Sequence, residues 1–376
     1  MRLLSIEPTP SPNAMKLNLD RKLPVGAQHE YTKANSNQAP AEIQKLLDIQ
    51  GVTSVFHTAD FLSLERKPNA DWQSILTQVR AILEGSAQSG AEAPPEEVTS
   101  FGEVHVFIQM FREIPWQVKV TSPTEHVRIA LSDRFSEAAT KASSVSTNLI
   151  LERKWIEQGV RYGEVKEIAE EVAQEIEAAY DQERLHALVE AALQSGEAPV
   201  PQAAEKKARP VVTLEMFDQP DWQKRYALLE QMEPTEEQIP VLAKALEDSK
   251  QSIRRLATVL FGMIGGKTVL PYLYRALKDQ SVSVRRTAGD TLSDLGDPEA
   301  IGAMADALKD PNKLVRWRAA RFLYEIGDES SLAALREAQD DPEFEVRLQI
   351  KMALERIESG EAASGTVWQQ MTRRND

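Results

Sequence analysis

The chain contains no cysteine. That removes disulfides, thiolate metal sites and cysteine nucleophiles together. Histidine is nearly as scarce. His29, His57, His105, His126 and His186 are scattered, and neither a His-x-x-x-His pair nor a His-Glu-x-x-His run occurs. They read as ordinary surface or strand residues, and no metal or cofactor is expected. Positive charge is in deficit. Against 58 Asp and Glu stand 44 Lys and Arg, a formal net charge of −14. This disfavours general binding to nucleic acid, which usually needs a basic excess, although it leaves a local basic face open. Long apolar runs are missing too. The longest, around Leu256–Gly266, is too short to span a bilayer. Met1–Glu7 meets an acid and a proline too soon for a signal sequence. The expectation is a cytoplasmic protein with no membrane contact.

What is there is a soluble globular composition, 42 % hydrophobic and 27 % charged, over 376 residues. That length suits two or three domains. Its strongest feature is a period. Asp248, Asp279, Asp310 and Asp341 stand 31 residues apart, as do Arg254, Arg285, Arg316 and Arg347. The same step links Ile253, Val284, Val315 and Val346. A fixed period of this size marks stacked supersecondary units.

Residues 297–326 show how one unit works. Asp297-Pro298 reads as an N-cap followed by proline at the first helical position, where a missing N–H costs nothing. Ile301, Met304 and Leu308 then form one helix face. Asp310-Pro311 reads as the same start for a second helix, with Val315, Ala319, Phe322 and Ile326 inward. Equivalent sets are Ile253, Ala257, Leu260, Ile264; Val284, Ala288, Thr291, Leu295; and Val346, Ile350, Ala353, Ile357. Gly265, Gly296 and Gly327 read as left-handed C-caps. One hairpin cannot bury both faces, so neighbours must stack. A degenerate first unit fits 218–247, with Lys224 and Arg225 placed 30 residues before Arg254 and Arg255.

Ahead of the repeats, residues 1–85 read as a small α/β unit. Leu3–Glu7 suits a strand, and Met15, Leu17 and Leu19 alternate at strand period. A helix follows Pro40. Val52–His57 and Phe61–Arg66 form a hairpin, and Asn69 or Asp71 caps a helix with Trp72, Ile75, Leu76, Val79 and Leu83 inward. Small and proline-bearing stretches at 86–100 and 195–210 read as linkers. Between them, 101–195 reads as an α+β region. Its strands are Glu103–Phe111, Pro115–Val120 and His126–Leu131, and a helix starts at Ser132 or Asp133. Asn148–Tyr162 is mixed, strand-favouring at Leu149–Leu151 and helix-favouring at Glu152–Gln158. Two helices follow over Glu164–Gln194, broken near Asp181.

These residues carry three resemblances. Thr9-Pro10-Ser11-Pro12-Asn13-Ala14-Met15-Lys16-Leu17, with Gly51-Val52, Val55-Phe56, Asp60–Leu64 and Trp72, resembles the N-terminal domain of Nfu/NifU-type iron–sulfur scaffolds. In that family a Cys-x-x-Cys of a different domain holds the cluster. The resemblance therefore implies the fold and a docking surface, not cluster assembly on this chain. Residues 218–358 resemble short HEAT repeats of the kind found in bilin-lyase subunits. The order of an Nfu-like domain, a middle region and short HEAT repeats is similar to the conserved virulence factor C family. That similarity implies an accessory or regulatory role in virulence-factor expression. The expected class is α+β: an Nfu-N-like domain over 1–85, an α+β middle region over 101–195, and an all-α HEAT-like solenoid over 211–360.

No catalytic constellation emerges, so no enzyme is expected. Glu167, Glu170, Glu171, Glu175 and Glu177 read as a solvated helix face. Gly262, Gly265 and Gly266 make no phosphate loop, since no strand precedes them. The periodic Arg254, Arg285, Arg316 and Arg347 read as structural partners of Asp248, Asp279, Asp310 and Asp341, ordering the turns. Less regular Arg255, Arg286, Arg318 and Arg321, with Lys309 and Lys313, read as a basic face for a partner, or as ordinary solvated charge. Asn13 and Lys16, on a proline-ordered loop, read as a second recognition site or as a strand connection. The function expected is a non-enzymatic adaptor that binds partner proteins through its repeats, with the Nfu resemblance implying a link to iron–sulfur physiology. Two alternatives stand: a nucleic-acid-binding regulator using the basic face, and lyase-like or chaperone-like handling of a bound cofactor.

Overall fold

The computed structural model describes residues 1–9, 13–24, 27–59, 61–67, 70–85, 103–122, 125–145, 152–195, 211–360 and 363. The expected linkers, Ser195 excepted, lie outside them, as do Pro10–Pro12, Asn69 and Leu149–Leu151. The chain divides into two compact units. One is Met1–Glu103 with Ala338–Met352; the other is Val104–Glu337 with Ala353–Asp376. The middle region and most of the repeats thus share a unit. The class is α+β.

In the first unit, strands β1 (Leu3–Pro8), β2 (Ala14–Leu19), β3 (Gln28–Thr32), β4 (Val52–Thr58) and β5 (Phe61–Arg66) form one sheet, ordered β1-β2-β5-β4-β3. Every neighbouring pair is antiparallel. Helices α1 (Ala41–Asp48) and α2 (Trp72–Arg80) supply Ile43, Leu46, Leu47, Trp72, Ile75 and Val79 to a core completed by Leu17, Val55, Leu62 and Leu64. Strand β3 has no counterpart in the sequence reading. Only Tyr31 of Gln-His-Glu-Tyr-Thr is buried, so the edge strand carries no alternation and is set by pairing with β4. The Ser74 amide donates to Asp71 at 2.6 Å, so Asp71 opens α2. Phe344 and Leu348, far along the chain, pack against this same core. Glu345 beside them meets the buried Arg66 at 2.7 Å, while the Arg66 guanidinium lies 5.0 Å from the Trp72 ring.

The second unit opens with β6 (Glu103–Phe111), β7 (Ile114–Thr121), β8 (His126–Ala130), α3 (Asp133–Ala142), β9 (Lys154–Tyr162), α4 (Val165–Ala179) and α5 (Gln182–Ser195). The sheet runs β8-β7-β6-β9. Val104, Val106, Val118 and Val120 face Phe135, Ala139, Ile168, Val172 and Leu185 of the helices. Strand β9 corrects the helix-leaning reading of Glu152–Gln158. Pairing at the sheet edge overrides local propensity there, and Gly159 at φ +91 supplies a bend that side chains resist.

The repeats follow. A short α6 (Leu214–Phe217) leads in, and the first helices are α8 (Ile239–Ala245), α10 (Leu270–Ala276), α12 (Ile301–Ala307) and α14 (Leu332–Glu337). Second helices are α7 (Trp222–Gln231), α9 (Gln251–Ile264), α11 (Val282–Leu295), α13 (Lys313–Glu325) and α15 (Phe344–Glu358). From α9 onward each second helix begins 31 residues after the last; α7 begins 29 before α9. That corrects the first unit's register. Arg225, not Lys224, is the counterpart of Arg254, because the shorter step still brings its guanidinium to the next repeat aspartate.

Three of the expected caps also change. Asp297 does cap, accepting from the Glu299 amide at 2.9 Å. Asp310 does not open α13; Asn312 does, accepting from the Leu314 amide at 2.9 Å. Of the three glycines, Gly296 is left-handed at φ 61 and ψ 29. Gly265 has positive φ with extended ψ. Gly327 stays out of the left-handed region, and a Cβ there would collide with the Leu323 carbonyl oxygen. No described helix is long and apolar enough to cross a membrane.

Candidate functional site

The repeat arginines form a ladder. Arg254 sits one turn inside α9, where a helical side chain leans back toward the N-terminus. Its Nη1 donates to the carbonyls of Asp248 and Ser249 at 2.8 and 3.2 Å, closing the turn behind it. Its Nε and Nη2 grip the Asp279 carboxylate of the next copy at 2.7 and 3.0 Å. Arg285 repeats this on the Asp279 and Gln280 carbonyls and the Asp310 carboxylate. Arg225 does the same on Gln219, Pro220 and Asp248. Each aspartate also takes a backbone amide two residues on: Lys250, Ser281, Asn312 and Glu343 donate to Asp248, Asp279, Asp310 and Asp341 at 2.7–2.9 Å. Arg316 and Arg347 close their own turns on the carbonyls of Asp310 and Asp341. For the first three arginines, one side chain orders its own turn and ties it to the following copy. Two parallel bonds on a charged acceptor are the strong form of this contact.

The four less regular arginines do not make an open basic face. Arg255 reaches across to Glu175 of α4, at 3.3 and 3.4 Å. Glu175 also binds Arg161 of β9, at 2.5 and 3.2 Å. Burial pushes the Glu175 carboxyl up, but the two guanidiniums outweigh it and hold the group below the ordinary carboxylate value. Arg286 is buried between aromatic rings. Its guanidinium lies 4.2 Å from the Tyr162 ring and 5.7 Å from Trp317, and Nη1 bonds Asp290. Arg318 meets the same Asp290 at 2.6 Å. Arg321, also buried, bonds Glu325 one turn on at 2.6 Å. Asp294 nearby is raised by burial. The geometry brings Arg286 and Arg318 together on one carboxylate and gives Arg255 and Arg321 acids of their own. Lys309 is exposed and paired with Glu337 at 2.8 Å.

Asn13 and Lys16 belong to the other unit. The Asn13 carbonyl accepts the Arg66 amide at 2.9 Å, and the Lys16 ammonium lies 5.0 Å from the Phe61 ring. Among the described residues no three His, Asp or Glu side chains gather as metal ligands would.

The solvated carboxylate row of α4 is corrected at one position: Glu175 is 4 % exposed. Sequence reasoning missed it because its partners Arg161 and Arg255 lie 14 and 80 residues away. The available signal was modest. Glu175 follows Ile168, Ala169 and Val172 on the apolar face, at steps that bury it.

Known proteins match along the whole chain. Residues 4–90 match the family described as scaffold protein Nfu/NifU N terminal. Residues 109–189 match the one described as virulence factor, and residues 273–355 match HEAT repeats. The Bacillus subtilis (strain 168) protein YpgR is 59 % identical over 372 residues, 99 % of this chain and 98 % of that one. Conserved virulence factor C of Staphylococcus aureus (strain MRSA252) is 48 % identical over 379 residues, the full length of both. The chain belongs to the conserved virulence factor C family.

On this chain the Nfu-like match falls on the β1–β5 sheet and its helices. The virulence-factor match runs from the end of β6 into α5, and the HEAT match runs from α10 into α15. Among solved structures, the crystal structure of protein SAV1430 from Staphylococcus aureus is 35 % identical over 22 % of this chain and 98 % of that one, with a TM-score of 0.21.

Proposed function

We propose that this member of the family is a non-enzymatic cytoplasmic adaptor that supports virulence-factor expression by holding partner proteins on its HEAT repeats. The observation that carries the reading is how the periodic charges are spent. Arg225, Arg254 and Arg285 each join one copy to the next, so the polar residues that recur most regularly stiffen a support. A support of stacked, pre-organised units presents side chains without ordering cost at the moment of binding.

Between adjacent copies lies a groove of about 420 Å³, lined by Leu246, Glu247, Arg275, Ala276, Lys278 and Asp279. Arg275 and Lys278 are exposed at its rim, and Arg275 spans it to Glu247 at 3.0 Å. A partner segment carrying an acid beside an apolar side chain suits that lining. An iron–sulfur setting is the finer part of the reading, and it rests on the Nfu-like residues 4–90. With no cysteine in the chain, any thiolate-held cluster involved belongs to a partner.

The test is quantitative affinity capture from native cells with wild type and the R275E/K278E variant, whose melting temperature should be unchanged. The reading expects a reproducible partner set that the variant loses. An unchanged set in the variant overturns the groove as the contact, and an empty capture by the wild type overturns the adaptor itself.

A further inference from the structure

The second unit's sheet has two unlike faces. One packs Val104, Val106, Val118 and Val120 against helices. The other follows from the alternation. His105, Phe107 and Gln109 of β6 share it with Gln117, Lys119 and Thr121 of β7, as the register pairs them directly: His105 with Thr121, Phe107 with Lys119, Gln109 with Gln117. His126 and Arg128 of β8 continue the rows beside Thr121 and Lys119. Trp155 of β9 completes the face. The Lys119 ammonium lies 4.3 Å from the Phe107 ring and 4.6 Å from the Trp155 ring, and the Arg128 guanidinium lies 5.7 Å from Trp155. His105 stacks near Phe107 at 6.5 Å and bonds Glu157 at 2.8 Å. Phe107, Trp155 and Lys119 are partly exposed, and His126 and Arg128 are exposed.

Two aromatic rings and two cations on one four-stranded face form a local exception to the chain's acidity. Unlike the repeat arginines, Lys119 and Arg128 are held by ring faces, which yield more readily to a phosphate than a buried carboxylate does. Aromatic side chains on a sheet, flanked by cations, are the means by which proteins stack successive unpaired bases while neutralising their phosphates. Gln109, Gln117 and Thr121 add donors and acceptors within the same rows, the groups a 2′-hydroxyl needs.

We propose that this face binds single-stranded RNA. Bases stack on Phe107 and Trp155, and Lys119 and Arg128 turn from the rings to the flanking phosphates. The proposal goes beyond the adaptor reading and uses a different surface.

The test is fluorescence anisotropy of a labelled twelve-residue oligouridylate with the full-length protein at low salt. Phe107→Ala and Trp155→Ala should each weaken binding by roughly fivefold to a hundredfold, the usual worth of one stacked base. Phe107→Tyr should bind nearly as wild type. Lys119→Ala should lower the slope of log affinity against log salt by about 0.7. Melting temperatures identify variants that fold. Failure of the wild type to bind at low salt, or full affinity in a folded Phe107→Ala/Trp155→Ala double variant, would overturn the proposal. Equal affinity for the matching oligothymidylate would overturn the assignment to RNA. Displacement of the oligouridylate by a glutamate-rich peptide whose own affinity ignores both aromatic substitutions would mark the face as a charge patch only, and would overturn stacking.

Discussion

Arg285 holds Asp310 with both arms, at 2.6 and 3.0 Å, from one repeat to the next, and both side chains are about nine-tenths buried. Removing one partner of such a pair strands a charge. Arg285→Ala should therefore cost roughly 3–5 kcal/mol. Asp310→Ala should cost at least as much, because it also frees the Asn312 amide. The double variant should cost less than the sum by about 0.5–3 kcal/mol. Urea denaturation of the four proteins checks this, and strict additivity would mean the bond does not couple the copies.

The helices of the repeats were legible because their period survives in the sequence and their inward faces are apolar. Val315, Ala319, Phe322 and Ile326 are all buried as spaced. The ties between copies were only half legible. Asp and Arg recur together, but nothing in one dimension says that Arg254 passes its own Asp248 carboxylate and takes Asp279. The angle at which helices stack decides that. Strand β3 was invisible because an edge needs no alternation, and β9 because Glu157 and Gln158 face solvent. The candidate basic face failed for a physical reason. Arg255, Arg286, Arg318 and Arg321 sit on helix faces that other elements cover, and an arginine in such a place recruits an acid or a ring.

Gly262 lies in α9 opposite Thr291 of α11. A Cβ at Gly262 would come within 2.5 Å of the Thr291 methyl carbon. Glycine to alanine in an open helix stabilises by up to about 1 kcal/mol. Here the sign should reverse, with Gly262→Ala costing about 1–3 kcal/mol by overpacking. Adding Thr291→Ser, which deletes the methyl, should recover most of the loss. Thermal melts of the single and double variants decide it, and a stabilised single variant would show that the helices separate freely.

His57 shares the core face of β4 with Val55, and its Nε2 finds no hydrogen-bond partner among the described residues. Burial lowers its pKa, and His29 across the strand pair lowers it further. The unfolded chain therefore takes up the proton first as pH falls. The stability contributed is present above the unfolded value, about 6.5, and is lost as pH drops toward the folded value. Melting of the wild type should weaken from pH 7.5 to 5, and His57→Gln should flatten that stretch of the profile. Parallel profiles would assign the slope to other groups.

Glu175 carries the opposite charge and titrates lower. Arg255 and Arg161 outweigh the cost of its burial, so its folded pKa lies below the unfolded one. Its stabilisation is then present above the unfolded carboxylate value, about 4.3. It disappears as pH falls through the folded value, when the native state at last takes the proton. Glu175→Gln should remove this acid sensitivity. At neutral pH it should also cost roughly 3–5 kcal/mol, since two largely covered guanidiniums lose their counter-charge. A second substitution, Arg255→Gln, should restore part of that. Because one carboxylate joins Arg161 of β9 to Arg255 of α9, loss of the charge should also raise amide exchange in β9 and at the start of α9 together. Exchange that rises in only one of them would show that Glu175 neutralises local charge and does not fasten the sheet to the repeats.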